Sequence, residues 1–154
     1  MKTKLSTIFI LLLLFILVSC GTTTDTYQFL SYEIPSEYSK NSDSSTPLYG
    51  NDDGYSLAVD IEQSDSENYN ADDMLNTRMQ SDDTTEVTVV NDVIIDGITA
   101  KQYFTYYTDV DFIILNVSFI YNDNLVTLSV SSYNDEIPDN IVEDFEDFIN
   151  SIEI

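Results

Sequence analysis

One cysteine, no histidine and 28 acidic residues bound the chemistry open to this chain of 154 residues. The cysteine is Cys20, and without a second one no intramolecular disulfide can form. Its thiolate is the strongest nucleophile available. The lack of histidine excludes Ser-His-Asp and Cys-His catalysis, and together with the single cysteine it excludes His- or Cys-based zinc sites. No glycine-rich phosphate loop is present, and four glycines leave little with which to build one. Carboxylates remain. The pairs Asp52-Asp53, Asp72-Asp73 and Asp82-Asp83 could serve a glycan hydrolase, whose chemistry needs two acids at the right separation. In so acidic a chain such pairs also arise as solvated surface.

Calcium takes oxygen ligands alone. Asp52 and Asp53, inside Asn51-Asp52-Asp53-Gly54, and Asp109 and Asp111 are the weak candidate ligands. Neither cluster has a twelve-residue loop with a closing glutamate, and turns built on Asx and glycine account for both. These residues give no reason to expect a catalytic group, a resident metal or a cofactor. Asn116-Val117-Ser118 matches a glycosylation sequon but falls in the middle of a strand pattern, and it is set aside. Tyr103, Tyr106, Tyr107, Tyr121 and Tyr133 are expected to gather on one region of sheet. Strand propensity explains them, and an exposed aromatic patch suited to a partner is the functional alternative.

The setting of Cys20 is more informative. Every residue from Ile8 to Val18 is apolar, and Lys2 and Lys4 precede the run. A membrane-spanning helix needs roughly 20 apolar residues, so the run is short for that role. It has the basic and apolar regions of an export signal, with an uncleaved signal anchor as the alternative. Leu17-Val18-Ser19-Cys20 resembles a bacterial lipobox. The resemblance implies cleavage before Cys20, a diacylglycerol on its sulfur, and a mature protein held by lipid on the extracytoplasmic face of the cell membrane. Two or more acyl chains give stable anchoring where one does not. The expected division is a signal peptide over 1–19, the lipidated cysteine and a polar tether over 20–26, and a single domain over 27–154.

Composition limits the partners of that domain. Loss of the signal removes Lys2 and Lys4 and leaves Lys40, Arg78 and Lys101 against 28 acids. Nucleic acid is not an expected partner, because phosphate binding needs a Lys/Arg footprint. High charge can signal disorder, but 11 tyrosines and long β-branched runs point to a folded core.

Hydrophobic periodicity supplies the elements that must position these groups. Tyr27–Ile34 alternates as a first strand, and Gly54–Glu62 follows with Tyr55, Leu57, Val59 and Ile61 on one face. Asn70 caps a helix over Ala71–Gln80, with Asp72 and Asp73 in its first turn and Met74, Leu75 and Met79 inward. Strands are expected over Thr85–Ile95, Ile98–Thr108, Phe112–Tyr121 and Leu125–Tyr133. Asp96-Gly97 is a hairpin signal, since a type I′ turn needs φ > 0 at both central residues. In Phe112–Tyr121, Ile113, Leu115, Val117 and Phe119 form a packed face, and Ile114, Asn116 and Ser118 a wetter one. After Pro138, Ile141, Val142, Phe145, Phe148, Ile149 and Ile152 recur at helical spacing.

The reading is an α+β domain, a mostly antiparallel sheet of about six strands with two helices packed on it. The element order β-β-α-β-β-β-β-α, with "YEIPSEY", "DGITAKQYFTYY" and "FEDFINSIEI", resembles the PsbP-like α/β/α sandwich. That resemblance implies a fold and carries over no functional residue. The expected function is non-catalytic: a lipid-anchored extracytoplasmic domain that binds a protein partner in the cell envelope. A small carboxylate-dependent glycan hydrolase and a weak calcium-binding surface domain are the alternatives.

Overall fold

Turn chemistry sets up the centre of the molecule. The computed structural model describes residues 22–64, 70–134 and 136–154. Strand β6 (Thr85–Ile95) passes into β7 (Ile98–Tyr107) through Asp96 and Gly97, at φ 43° and 81°. Both central residues of this turn have φ > 0, as a type I′ hairpin requires. Strand β8 (Phe112–Tyr121) turns into β9 (Asn124–Ser132) through Asn122 and Asp123, at φ 48° and 60°. Asx residues tolerate this left-handed region better than most.

Earlier in the chain lie β1 (Thr23–Tyr27), β2 (Leu30–Ile34), β3 (Ser39–Lys40), β4 (Leu48–Gly50), β5 (Ser56–Gln63) and helix α1 (Ala71–Arg78). Helix α2 (Asp139–Asn150) follows β9. The strands make a two-stranded sheet, β1-β2, and a seven-stranded sheet in the order β3-β4-β5-β9-β8-β7-β6. All pairs are antiparallel. The described residues are α+β with two helices, as the patterning predicts, and among them nine strands replace the expected six or so. The additional ones come from two places. Tyr27–Ile34 is not one strand: the chain reverses at Gln28, which takes φ 54°. Residues 23–26, expected as tether, pair with β2 as most of β1. The polar loop after Pro35 supplies the short strands β3 and β4.

Alternation then sorts the sheet into two faces. Leu57 and Val59 of β5, Leu115, Val117 and Phe119 of β8, and Val126, Leu128 and Val130 of β9 lie opposite one another in register. They are buried with Leu30, Tyr32 and Ile34 of β2 and with Ile141, Phe145, Phe148 and Ile149 of α2. This apolar face carries α2 and the β1-β2 hairpin, which is tied to the chain after α2 by reciprocal bonds between Ser31 and Glu153.

The other face carries α1, which packs on β8 and β9. Asn70 Oδ1 caps it by accepting from Asp73 N at 2.9 Å, and Ala71 and Met74 are its buried residues. The layers therefore run helix, sheet, helix. The face under α1 was expected to be the wetter one, yet Asn116, Ser118, Thr105 and Thr127 are all buried there.

Candidate functional site

Two features stand out on the α1 side: a polar cleft and a free sheet edge. The cleft follows from a mismatch in length. Helix α1 has 8 residues and rises about 12 Å, whereas ten-residue strands extend about 33 Å. The uncovered part of the sheet is a cleft of about 330 Å³, closed by the end of α1, the loop before β6, and strands β6 to β8. Its lining includes Arg78, Gln80, Asp82, Thr85, Thr105 and Asn116.

Beneath the cleft and α1, polar side chains hold one another. The Tyr103 hydroxyl meets Ser118 Oγ at 3.0 Å, and Ser118 Oγ meets Thr127 Oγ1 at 3.0 Å. Asn116 Nδ2 donates to Thr105 Oγ1 at 3.2 Å and to the Ile114 carbonyl at 3.4 Å. Buried polar atoms require such partners. Asp82 is the one carboxylate in the lining. The Thr84 N–H, then the Thr85 and Thr84 hydroxyls and the Thr85 N–H, hold it below the ordinary aspartate value of 3.8. Arg78 pairs with Glu62 and reaches Asp60 at 3.7 Å.

Strand β6 is the second feature. It is 11 residues long and terminates the large sheet, whereas the opposite terminal strand, β3, has only 2 residues. The preceding loop covers the start of its outer edge, because Ser81 Oγ accepts from Val87 N and Asp82 N donates to the Thr85 carbonyl. Among the described residues no hydrogen bond covers the outer main chain from Val89 to Ile95. A bulge falls at Val90, between Val89 and Asn91. Val89, Val90 and Ile94 are exposed to 54%, 50% and 64%.

The acids nominated from sequence are dispersed. Asp52 and Asp53 sit in the exposed turn between β4 and β5, where Asn51 Oδ1 accepts from Asp53 N and Tyr55 N, and Gly54 takes φ 88°. Asp109 and Asp111 lie in the β7-β8 turn, with Asp111 Oδ1 accepting from the Tyr106 hydroxyl at 2.6 Å. Strand β9 separates β5 from β8, so the two turns do not share ligands. Among the described residues no three Asp, Glu, Cys or His side chains are grouped to hold a metal ion. Asp72 and Asp73 are exposed in the first turn of α1. Cys20 and the apolar run before it lie outside the described residues.

The five tyrosines divide between the two faces, which corrects the expected single gathering. Tyr103 and Tyr107 lie on the α1 face, while Tyr106, one residue out of phase, lies on the other. Tyr121 packs on Phe29 with ring centroids 5.0 Å apart. Tyr107 contacts Phe112, and Phe112 contacts Tyr133, at centroid distances of 5.9 and 4.7 Å. These three rings form a shelf beside the cleft, with Tyr133 80% exposed.

Sequence patterning missed two electrostatic clusters on the α2 side. Asp25 accepts from Lys40 Nζ at 2.7 Å, the Tyr49 hydroxyl at 2.6 Å and Thr26 N at 2.8 Å. Burial pushes its pKa up, but these donors together hold it below 3.8. In the second cluster Asp144 is held above the ordinary 3.8, first by burial and then by the neighbouring Glu37 carboxylate. The Tyr38 hydroxyl nearby is buried and has no hydrogen-bond partner among the described residues. No signal in the sequence pairs residues this far apart along the chain.

No family model matches the chain, and no curated protein matches it.

Proposed function

We propose that this chain is a lipid-anchored extracytoplasmic binding domain, without catalytic activity, that engages a protein partner in the cell envelope through the outer edge of β6. The observation that carries the reading is the uncovered edge from Val89 to Ile95 with its three exposed apolar side chains. Exposed edges are hazards that folded proteins normally shorten, charge or cover. Here the opposite edge is shortened to two residues, while β6 keeps its length and valines. An added strand would find main-chain donors and acceptors there. The occupant is an extended segment rich in Lys or Arg, because Asp83, Glu86 and Asp96 flank the edge, beside an Asp92 already paired with Lys101, in a chain of formal charge −23.

Anchoring rests on Leu17-Val18-Ser19-Cys20 and the apolar run before it. The element order and the helix–sheet–helix layering support a PsbP-like sandwich.

Photocrosslinkers placed at Val89 and Ile94 in native membranes test the interface, with Asp139 as the control position. A discrete adduct is expected at both β6 positions and not at the control. Within the adduct the crosslinked peptide should be basic, and Ile94→Lys should abolish capture by the crosslinker at Val89. Equal adducts at all three positions, or an acidic crosslinked segment, would overturn the edge as the interface. Acyl labelling should be lost in Cys20→Ala, and persistent labelling would overturn the anchor.

A further inference from the structure

The cleft beside α1 asks a separate question: why should β7, β8 and β9 present threonine, serine, asparagine and tyrosine to a buried layer? The opposite face of β8 and β9 is leucine, valine and phenylalanine. Buried polar groups are at best modestly stabilising, and an apolar layer of similar shape would serve stability as well. Ser118, Thr127 and Tyr103 satisfy one another. The groups lining the open part are only partly engaged. Asn116 uses its amide nitrogen on Thr105 and Ile114, which leaves Oδ1 as an acceptor at the cleft. Gln80 and Tyr107 also line the cleft, and the amide of the one and the hydroxyl of the other hold no hydrogen-bond partner among the described residues.

We propose that this cleft is a binding site for an uncharged, hydroxyl-rich ligand, a saccharide of one or two rings. Three observations select that class. The volume of about 330 Å³ lies at the small end of ligand pockets, which run roughly 300–1,000 Å³. The lining offers hydroxyl and amide groups that both donate and accept, the requirement for reading ring hydroxyls. Beside it, Tyr107, Phe112 and the exposed Tyr133 give a shelf of aromatic faces on which the C–H face of a pyranose can lie.

Charge argues against the alternatives. Arg78, the one cation in the lining, is held by Glu62 with Asp60 close by, so no free positive group meets an anion. Asp82, the one carboxylate, already has three donors on Oδ1 and offers a cation little. A hydrolase acting on the same sugar needs a second carboxylate in reach, and none lines the cleft. The site binds and does not cut.

Saturation-transfer NMR on the full chain, purified in detergent, tests this with cellobiose, maltose and N,N′-diacetylchitobiose as probes. At least one probe should bind with a Kd of about 1 mM, the range of a few hydrogen bonds in an open cleft. Affinity should fall about tenfold or more in Asn116→Leu and in Tyr107→Ala, and should be unchanged in Ile94→Lys on the β6 edge. Tyr107 is partly exposed, so its alanine variant keeps the comparison available should Asn116→Leu not fold. No transfer from any of the three probes, equal affinity in Tyr107→Ala, or tighter binding of glucose 6-phosphate than of the neutral sugars would overturn the proposal.

Discussion

Two tyrosine-to-phenylalanine substitutions on the α2 side should have opposite effects, although each removes one buried oxygen. Tyr49 has a single hydroxyl proton, and the 2.6 Å contact assigns it to Asp25. The Tyr32 hydroxyl, 3.0 Å away, must therefore be the donor to the Tyr49 oxygen. Burial and the bond to Asp25 push the Tyr49 pKa far above the ordinary 10.0, so the donor stays protonated. Tyr49→Phe thus removes a hydrogen bond to a charged acceptor, worth about 1.5–3 kcal/mol. It also strands the Tyr32 hydroxyl, on a side chain only 1% exposed, at about 1–3 kcal/mol. Asp25 keeps Lys40 and Thr26 and is partly open to water, which discounts the first figure. A loss of about 2–4 kcal/mol is expected. Tyr38→Phe, by contrast, deletes a hydroxyl that has no partner among the described residues and should be neutral or stabilising by up to about 1 kcal/mol. Urea unfolding measures both. With m of about 1–3 kcal/mol/M, the Tyr49 variant should lose about 1–2 M in midpoint at unchanged slope. The pH dependence adds a second check. The lowered pKa of Asp25 means its ionised form favours the folded state. That contribution is complete above the unfolded value near 3.8 and is lost as pH falls through the lower folded value. The gap between wild type and Asp25→Asn should close in that acid range. A Tyr49→Phe midpoint within error of wild type, or a Tyr38→Phe loss of equal size, would refute the hydrogen-bond assignment.

Phe145 on α2 is wholly buried and stacks near Phe148 at 6.2 Å; Phe145→Ala should cost about 3–5 kcal/mol in the same assay, and a change below about 0.5 kcal/mol would mean α2 does not dock as described. Asp144 has its pKa raised by burial and by Glu37, so its ionised form disfavours folding at neutral pH. Asp144→Asn should therefore raise the melting temperature at pH 7, with the gain shrinking as pH falls through the raised value towards 3.8; a pH-independent difference would contradict that sign. For the acids at large, melts in sodium, magnesium and calcium at equal ionic strength should show one shared rise from screening. A saturable rise unique to calcium, removed by Asp52→Asn with Asp53→Asn or by Asp109→Asn with Asp111→Asn, would instead reveal a specific site.

Local chemistry was legible in the residues alone. Strand β8 falls where alternation places it, because a period of two is imposed by the backbone itself. Asn70 caps α1 through an N–H only three residues on, and Asp96-Gly97 makes its turn from its own φ preferences. The buried stripe of α2, from Ile141 to Ile149, is equally a consequence of helical period. Interactions of longer range were not legible. The reversal at Gln28 divides what alternation presents as one strand, because pairing between β1 and β2 stabilises a residue that does not by itself mark a turn. Strands β3 and β4 are shorter than any detectable period and exist through β5. Asn116 and Ser118 have polar side chains and read as solvated, yet the folded sheet buries both, Ser118 completely and Asn116 in the floor of the cleft. Threonines from β6 and β7 and the amide of Asn116 from β8 meet in one cleft only because β7 lies between β6 and β8. The β6 edge is open for the same kind of reason: alternation fixes which side chains share a face, but which strand has no neighbour is decided by the pairing order of the whole sheet.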